Sequence, residues 1–169
     1  DNIELKFDEG LKNVMNNPGI KRVDFCVGYF NLRGWSLIVN EIDQLPGDFI
    51  YEGDERKLRC CRLLVGMNQT PEELIRMRYG RKDFIPDANF AQKYKRRMAM
   101  DFRRQLTLGI PTKIDEHNLR RLLAQLQEGK VCVKLYLREP LHAKLYLAHR
   151  PDDYSNKIIA IMGSSNLTY

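Results

Sequence analysis

The chain has 169 residues, with 28 Lys and Arg against 22 Asp and Glu for a net charge of +6, a length that suits one domain with a substantial core. A hydrophobic fraction of 43% beside 30% charged residues excludes a disordered or collagen-like chain. The longest apolar run, residues 158–162, is far too short to cross a bilayer, and no secretory signal precedes it.

Residues 5–15 have helical spacing at Phe7, Leu11, Val14 and Met15, and stop at Asn16-Asn17-Pro18-Gly19. Residues 22–30 (RVDFCVGYF) predict a buried strand. Residues 33–45 predict a helix through Trp35, Leu37, Ile38, Val39 and Ile42, broken by Pro46-Gly47, and residues 58–67 the next strand. Thr70-Pro71-Glu72-Glu73 is a helix start, with a capping hydroxyl, proline in the first turn and acids beside the positive dipole end. Residues 89–108 predict a long helix and residues 115–128 another, closed by Gly129. Three short strands follow, at 131–137, 142–148 and 157–162. The whole reads as a single α/β domain, residues 1–169, with a mixed sheet flanked by helices on both faces.

Cys26, Cys60, Cys61 and Cys132 lie in apolar stretches without metal-ligand spacing. They predict buried free thiols in a reducing, cytoplasmic setting. Five of the six net positive charges fall within residues 93–104 (KYKRRMAMDFRR), where Lys93, Lys95, Arg96, Arg97, Arg103 and Arg104 face one acid, Asp101. Such a run is either a solvated helix face or a phosphate-facing patch.

The last thirty residues carry the chemistry. A spacing of two puts His142 and Lys144 on one face of a strand, with Ala143, Leu145 and Leu147 turned the other way, toward a helix-covered core. Packing alone explains such a pair poorly, because burying an ammonium is costly unless an anion compensates it. The next strand runs into Gly163-Ser164-Ser165-Asn166-Leu167-Thr168, where Ser164, Asn166 and Thr168 share a face and Gly163 leaves room for a ligand or backbone. Pairing of the two strands as a hairpin would bring His142 and Lys144 to Ser164 and Asn166. The set suits phosphoryl transfer: a nucleophile, a cation for phosphate charge, and amide and hydroxyl donors for its oxygens.

With His142, Lys144, Gly163, Ser164 and Asn166 in place, the sequence resembles the phospholipase D superfamily, whose signature is HxK, an acid after four further residues, then GSxN. The resemblance implies a metal-independent, cofactor-free mechanism in which His142 attacks phosphorus and a second His protonates the leaving oxygen. Lys144 and Asn166 hold the phosphate, with Ser164 and Ser165 as further donors. One copy of the motif implies a homodimer with the site at its interface. The signature acid falls on His149, with Asp152 and Asp153 as nearby substitutes. A carboxylate that orients the His in several relatives lies downstream of the Asn, whereas this chain stops at Tyr169.

The basic run, together with Arg76, Arg78, Arg81 and Lys82, favours a polyanion, and Tyr79, Tyr94 and Phe102 interleave with those charges. DNA is therefore the expected partner and a membrane is not. VDFCVGYFNLRGW early and LHAKLYL with GSSNLT late resemble the phospholipase D-like domain ahead of bacterial superfamily 2 (Swi/Snf-type) helicases. That resemblance implies a nuclease or DNA-binding domain with a helicase module in the same chain, in keeping with a start at Asp1 rather than Met and a cut at the C-terminus. Two other classes stay open: an inactive phosphate- or DNA-gripping module, and a lipid-type phosphodiesterase.

Overall fold

The computed structural model describes residues 7–66, 92, 96, 100, 103–104, 112–136, 141–164 and 166–167. Helix α1 (Phe7–Met15) precedes strand β1 (Arg22–Val27). Two short helices follow, α2 (Leu32–Ser36) and α3 (Val39–Gln44). A hairpin of β2 (Asp48–Glu52) and β3 (Glu55–Arg59) leads into β4 (Cys61–Gly66). Helix α4 (Lys113–Gln127) and strands β5 (Val131–Tyr136), β6 (Lys144–His149) and β7 (Ile158–Met162) complete the described elements.

Five strands form one mixed sheet in the order β5-β4-β1-β6-β7. β1 lies at its centre, parallel to β4 on one side and antiparallel to β6 on the other. β6 and β7 pair as the expected antiparallel hairpin, with Leu145 opposite Met162 and His149 opposite Ile158. The alternation of β1 decides which face is covered. Val23, Phe25 and Val27 are buried, as are Leu63 and Val65 of β4 and Tyr146 and Ala148 of β6, which pair with them. One core forms on that face, closed by Leu11 and Met15 of α1, Trp35 of α2, Val39 and Ile42 of α3 and Leu122 of α4. Phe7 tilts onto the Tyr146 ring at 4.8 Å between centroids, and the Trp35 indole donates to Gln125 Oε1 at 3.2 Å. Trp35 is wholly buried, a position where truncation to Ala costs about 3–5 kcal/mol.

Several expectations change. Helices α1 to α4 all pack on one face, which is the face of Lys144 through its pairing with Val27; Leu145 and Leu147 lie half-buried on the other. Alternation tells which residues share a face but not which face is roofed. Residues 33–45 form two helices because Ile38 leaves helical geometry (φ −123°, ψ 0°) to bury its side chain in the core. The segment 58–67 is two strands, since Leu58 and Arg59 belong to the hairpin and β4 begins only at Cys61. α4 opens with a reciprocal capping box between Thr112 and Asp115, and Gly129 follows its end at φ 73°, left-handed as a helix stop requires. All four cysteines are free, but only Cys60 and Cys61 are buried; Cys26 and Cys132 are half-buried. The helix start at Thr70-Pro71-Glu72-Glu73 lies outside the described residues. No helix among the described residues is long and apolar enough to cross a membrane.

Candidate active site

The site lies where β1 ends and β6 begins. His142 and Ala143 lead directly into β6, and the Gly28 amide donates to the Ala143 carbonyl at 2.9 Å, carrying the β1–β6 ladder one step past Val27 and Lys144. This places the exposed His142 ring beside the half-buried Lys144, with Nε2 2.9 Å from Nζ. An ammonium has only protons to give, so Nε2 is the acceptor and the imidazole proton sits on Nδ1. Among the described residues no carboxylate pairs with Lys144. Its charge is half-desolvated against a neutral ring, an arrangement that invites an anion.

Asn166 arrives from the other side. After β7, the chain turns so that Phe30 and Leu167 form a parallel bridge and the Asn31 amide donates to the Leu167 carbonyl at 3.2 Å. The Tyr29 amide donates to Asn166 Oδ1 at 3.2 Å. With its oxygen so engaged, Asn166 presents its NH2 group as a donor. A Cβ added to Gly28 would stand 3.0 Å from His142 Cδ2 and 3.3 Å from Asn166 Oδ1, so both side chains reach the same methyl-sized space. The Tyr29 ring meets the imidazole edge-on at 6.1 Å between centroids.

Of the residues expected at the site, His142, Lys144 and Asn166 therefore come together. Ser164 is exposed just beyond the β6–β7 pairing, and Ser165 and Thr168 lie outside the described residues. Nothing among the described residues stands within 4 Å of a Cβ at Gly163, so the space there is open. A close approach of side chains is found instead at Gly28, which the sequence pattern absorbed into a strand. Its one visible sign was a glycine inside an otherwise β-branched and aromatic run. In the basic segment, Arg96, Arg103 and Arg104 are helical and exposed. Lys93, Lys95, Arg97, the basic residues of 76–82, and Tyr79, Tyr94 and Phe102 fall outside the described residues.

His149, at the position of the signature acid, closes the far end of β6, about 16 Å from Lys144 at the usual strand rise. Arg22 approaches its Nδ1 at 3.2 Å; because a guanidinium only donates, Nδ1 accepts and Nε2 carries the proton. Nε2 in turn meets Asp24 Oδ2 at 2.8 Å. Arg62 grips the same carboxylate through both oxygens, at 2.7 and 2.5 Å. Burial pushes the Asp24 pKa up, but hydrogen bonds from Arg62, His149 and Arg22 together outweigh it and hold the group well below the usual carboxylate range. The acid beside position 149 is thus Asp24 of β1. Asp152 and Asp153 are exposed in the β6–β7 loop, with Asp152 3.0 Å from Lys157.

No family model and no curated protein matches this chain.

Proposed function

We propose that this protein is a metal-independent phosphodiesterase domain of the phospholipase D type, acting on DNA. The convergence of His142, Lys144 and an oxygen-anchored Asn166 at one strand end carries the reading. A phosphodiester entering the site draws the Lys144 ammonium onto its non-bridging oxygens, which uncovers the Nε2 lone pair. Nε2 then attacks phosphorus, a P–N bond forms, and the P–O bond to the leaving group breaks. A second His protonates the departing oxygen, supplied by another copy of the chain in a homodimer. Water gives a proton to the now neutral second His and adds to phosphorus, and the P–N bond breaks, which releases the product and restores the imidazole. Lys144 and the Asn166 amide neutralise charge on the equatorial oxygens throughout. Exposed Arg96, Arg103 and Arg104 favour a polyanionic substrate over a small lipid headgroup. A helicase module in the same full-length protein would supply the DNA.

The second reading, a module that grips phosphate without cutting, draws on one observation. Among the described residues no carboxylate faces His142, and the acid of the neighbouring strand is committed to His149. An imidazole without an orienting acid is a weaker nucleophile and base. DNA cleavage in excess EDTA by the wild type and by His142→Ala separates the two. Cleavage that survives the chelator and vanishes in the variant supports the enzyme. Salt-sensitive binding with no cleavage by either protein leaves the module.

A further inference from the structure

We propose that Gly28 and the backbone amide of Tyr29 are positioning elements that join the two halves of the site, and that the clearance at Gly28 sets the spacing between His142 and Asn166. The inference rests on the phosphate-site reading and adds residues that lie outside the HxK and GSxN segments.

Three contacts converge on four consecutive residues. Gly28 N–H holds the Ala143 carbonyl, which fixes the backbone between His142 and Lys144. Tyr29 N–H holds Asn166 Oδ1, and Asn31 N–H holds the Leu167 carbonyl. Residues 28–31 are thus hydrogen-bonded to the His142 segment at one position and to the Asn166 segment at the next ones. The orientation of the Asn166 amide follows: with Oδ1 accepting from a backbone donor, Nδ2 is the end left for a phosphate oxygen. A flipped amide would set two donors against each other and present an oxygen to an anion.

Gly28 is needed for a different reason. Its φ is not in the left-handed region, so conformational freedom is not the issue. A side chain there would stand 3.0 Å from the imidazole and 3.3 Å from the amide oxygen, tighter than ordinary van der Waals contact. A single methyl would wedge His142 and Asn166 apart by a few tenths of an ångström, enough to spoil a site that must fit one tetrahedral anion.

The test is a 15N and 13C NMR comparison of wild type, Gly28→Ala, Asn166→Ala and Ile114→Ala, with inorganic phosphate as the titrant. In the wild type, the Tyr29 amide is expected to exchange slowly, and Asn166→Ala to speed that exchange at least tenfold at an unchanged thermal midpoint. Gly28→Ala is expected to displace the His142 ring signals and weaken phosphate binding at least tenfold. Ile114→Ala, at an exposed position of α4 away from the site, is expected to change phosphate affinity less than twofold. Folded Gly28→Ala protein with unmoved His142 signals and phosphate affinity within twofold of wild type overturns the proposal. Should Gly28→Ala fail to fold, Tyr29 exchange that ignores Asn166→Ala overturns it by itself. A wild type that binds no phosphate removes the phosphate reading, while the ring shifts and the Tyr29 exchange still decide the positioning role.

Discussion

Lys144 distinguishes a ligand site from a structural polar patch by the sign of one stability change. A half-buried ammonium facing a neutral imidazole is poorly compensated, so replacing it with an apolar side chain of similar length relieves desolvation. Lys144→Met is expected to raise unfolding stability by about 0.5–1 kcal/mol while weakening phosphate binding at least tenfold. Denaturant melts and a phosphate titration on the same samples check both signs; a loss of stability would make Lys144 structural. Asp24 behaves oppositely, because three cationic or N–H donors meet its carboxylate. Its pKa is depressed in the fold, below an unfolded value of about 3.9. Its contribution is therefore fully present above roughly pH 5 and is lost as the pH falls below the unfolded value. Asp24→Asn is expected to cost about 1–3 kcal/mol at neutral pH and to flatten the decline in stability between roughly pH 5 and pH 3. Urea melts at stepped pH measure this directly.

The same elements show what the sequence could convey. β1, α4 and the β6–β7 hairpin were legible because their signals are local: β-branched and aromatic residues over 22–30, a glycine stop at Gly129, and turn residues between two apolar runs. The β2–β3 hairpin was not, since its apolar residues Phe49, Tyr51 and Leu58 are exposed and imitate no core pattern. The break at Ile38 was hidden because the reason for it, a place in the core, is tertiary. In the site, His142, Lys144 and Asn166 could be named from spacing, whereas Gly28 and Tyr29 could not, because what they touch is far away in the chain. The hairpin has its own anchor. Arg59 donates to both oxygens of Glu52 at 3.1 Å and also to the Gly129 carbonyl at the end of α4. The Arg59 hydrogen bonds hold the Glu52 carboxyl below its ordinary range. Arg59→Met is expected to cost about 1–3 kcal/mol and to free the hairpin from α4. Faster amide exchange along residues 48–59, with β1 and β6 still protected, marks the outcome.

At the level of the whole molecule, the sheet is roofed on one face by α1 to α4, and β7 forms one edge with Ile158 and Met162 exposed, Met162 at 79%. Under the proposed function, DNA binding is expected to weaken steeply with salt, log affinity falling by about 0.9 per phosphate neutralised for each log unit of salt. Fluorescence anisotropy across a salt series reads the slope, and a flat line would return the lipid-type reading. Sedimentation at several concentrations tests the proposed homodimer, whose second His the mechanism requires.

Tyr29 and Asn166, joined by one hydrogen bond, are 137 residues apart. Among the described elements β1 precedes β6 and β7, yet Tyr29, Phe30 and Asn31 just past its end meet partners from Asn166 and Leu167. During synthesis, His142 and Lys144 leave the ribosome well before Asn166 can reach the Tyr29 amide. A nascent or prematurely terminated chain therefore carries His142 and Lys144 without Asn166. Under the proposed activity such fragments are silent toward DNA, so the topology ties chemical competence to completion of the fold.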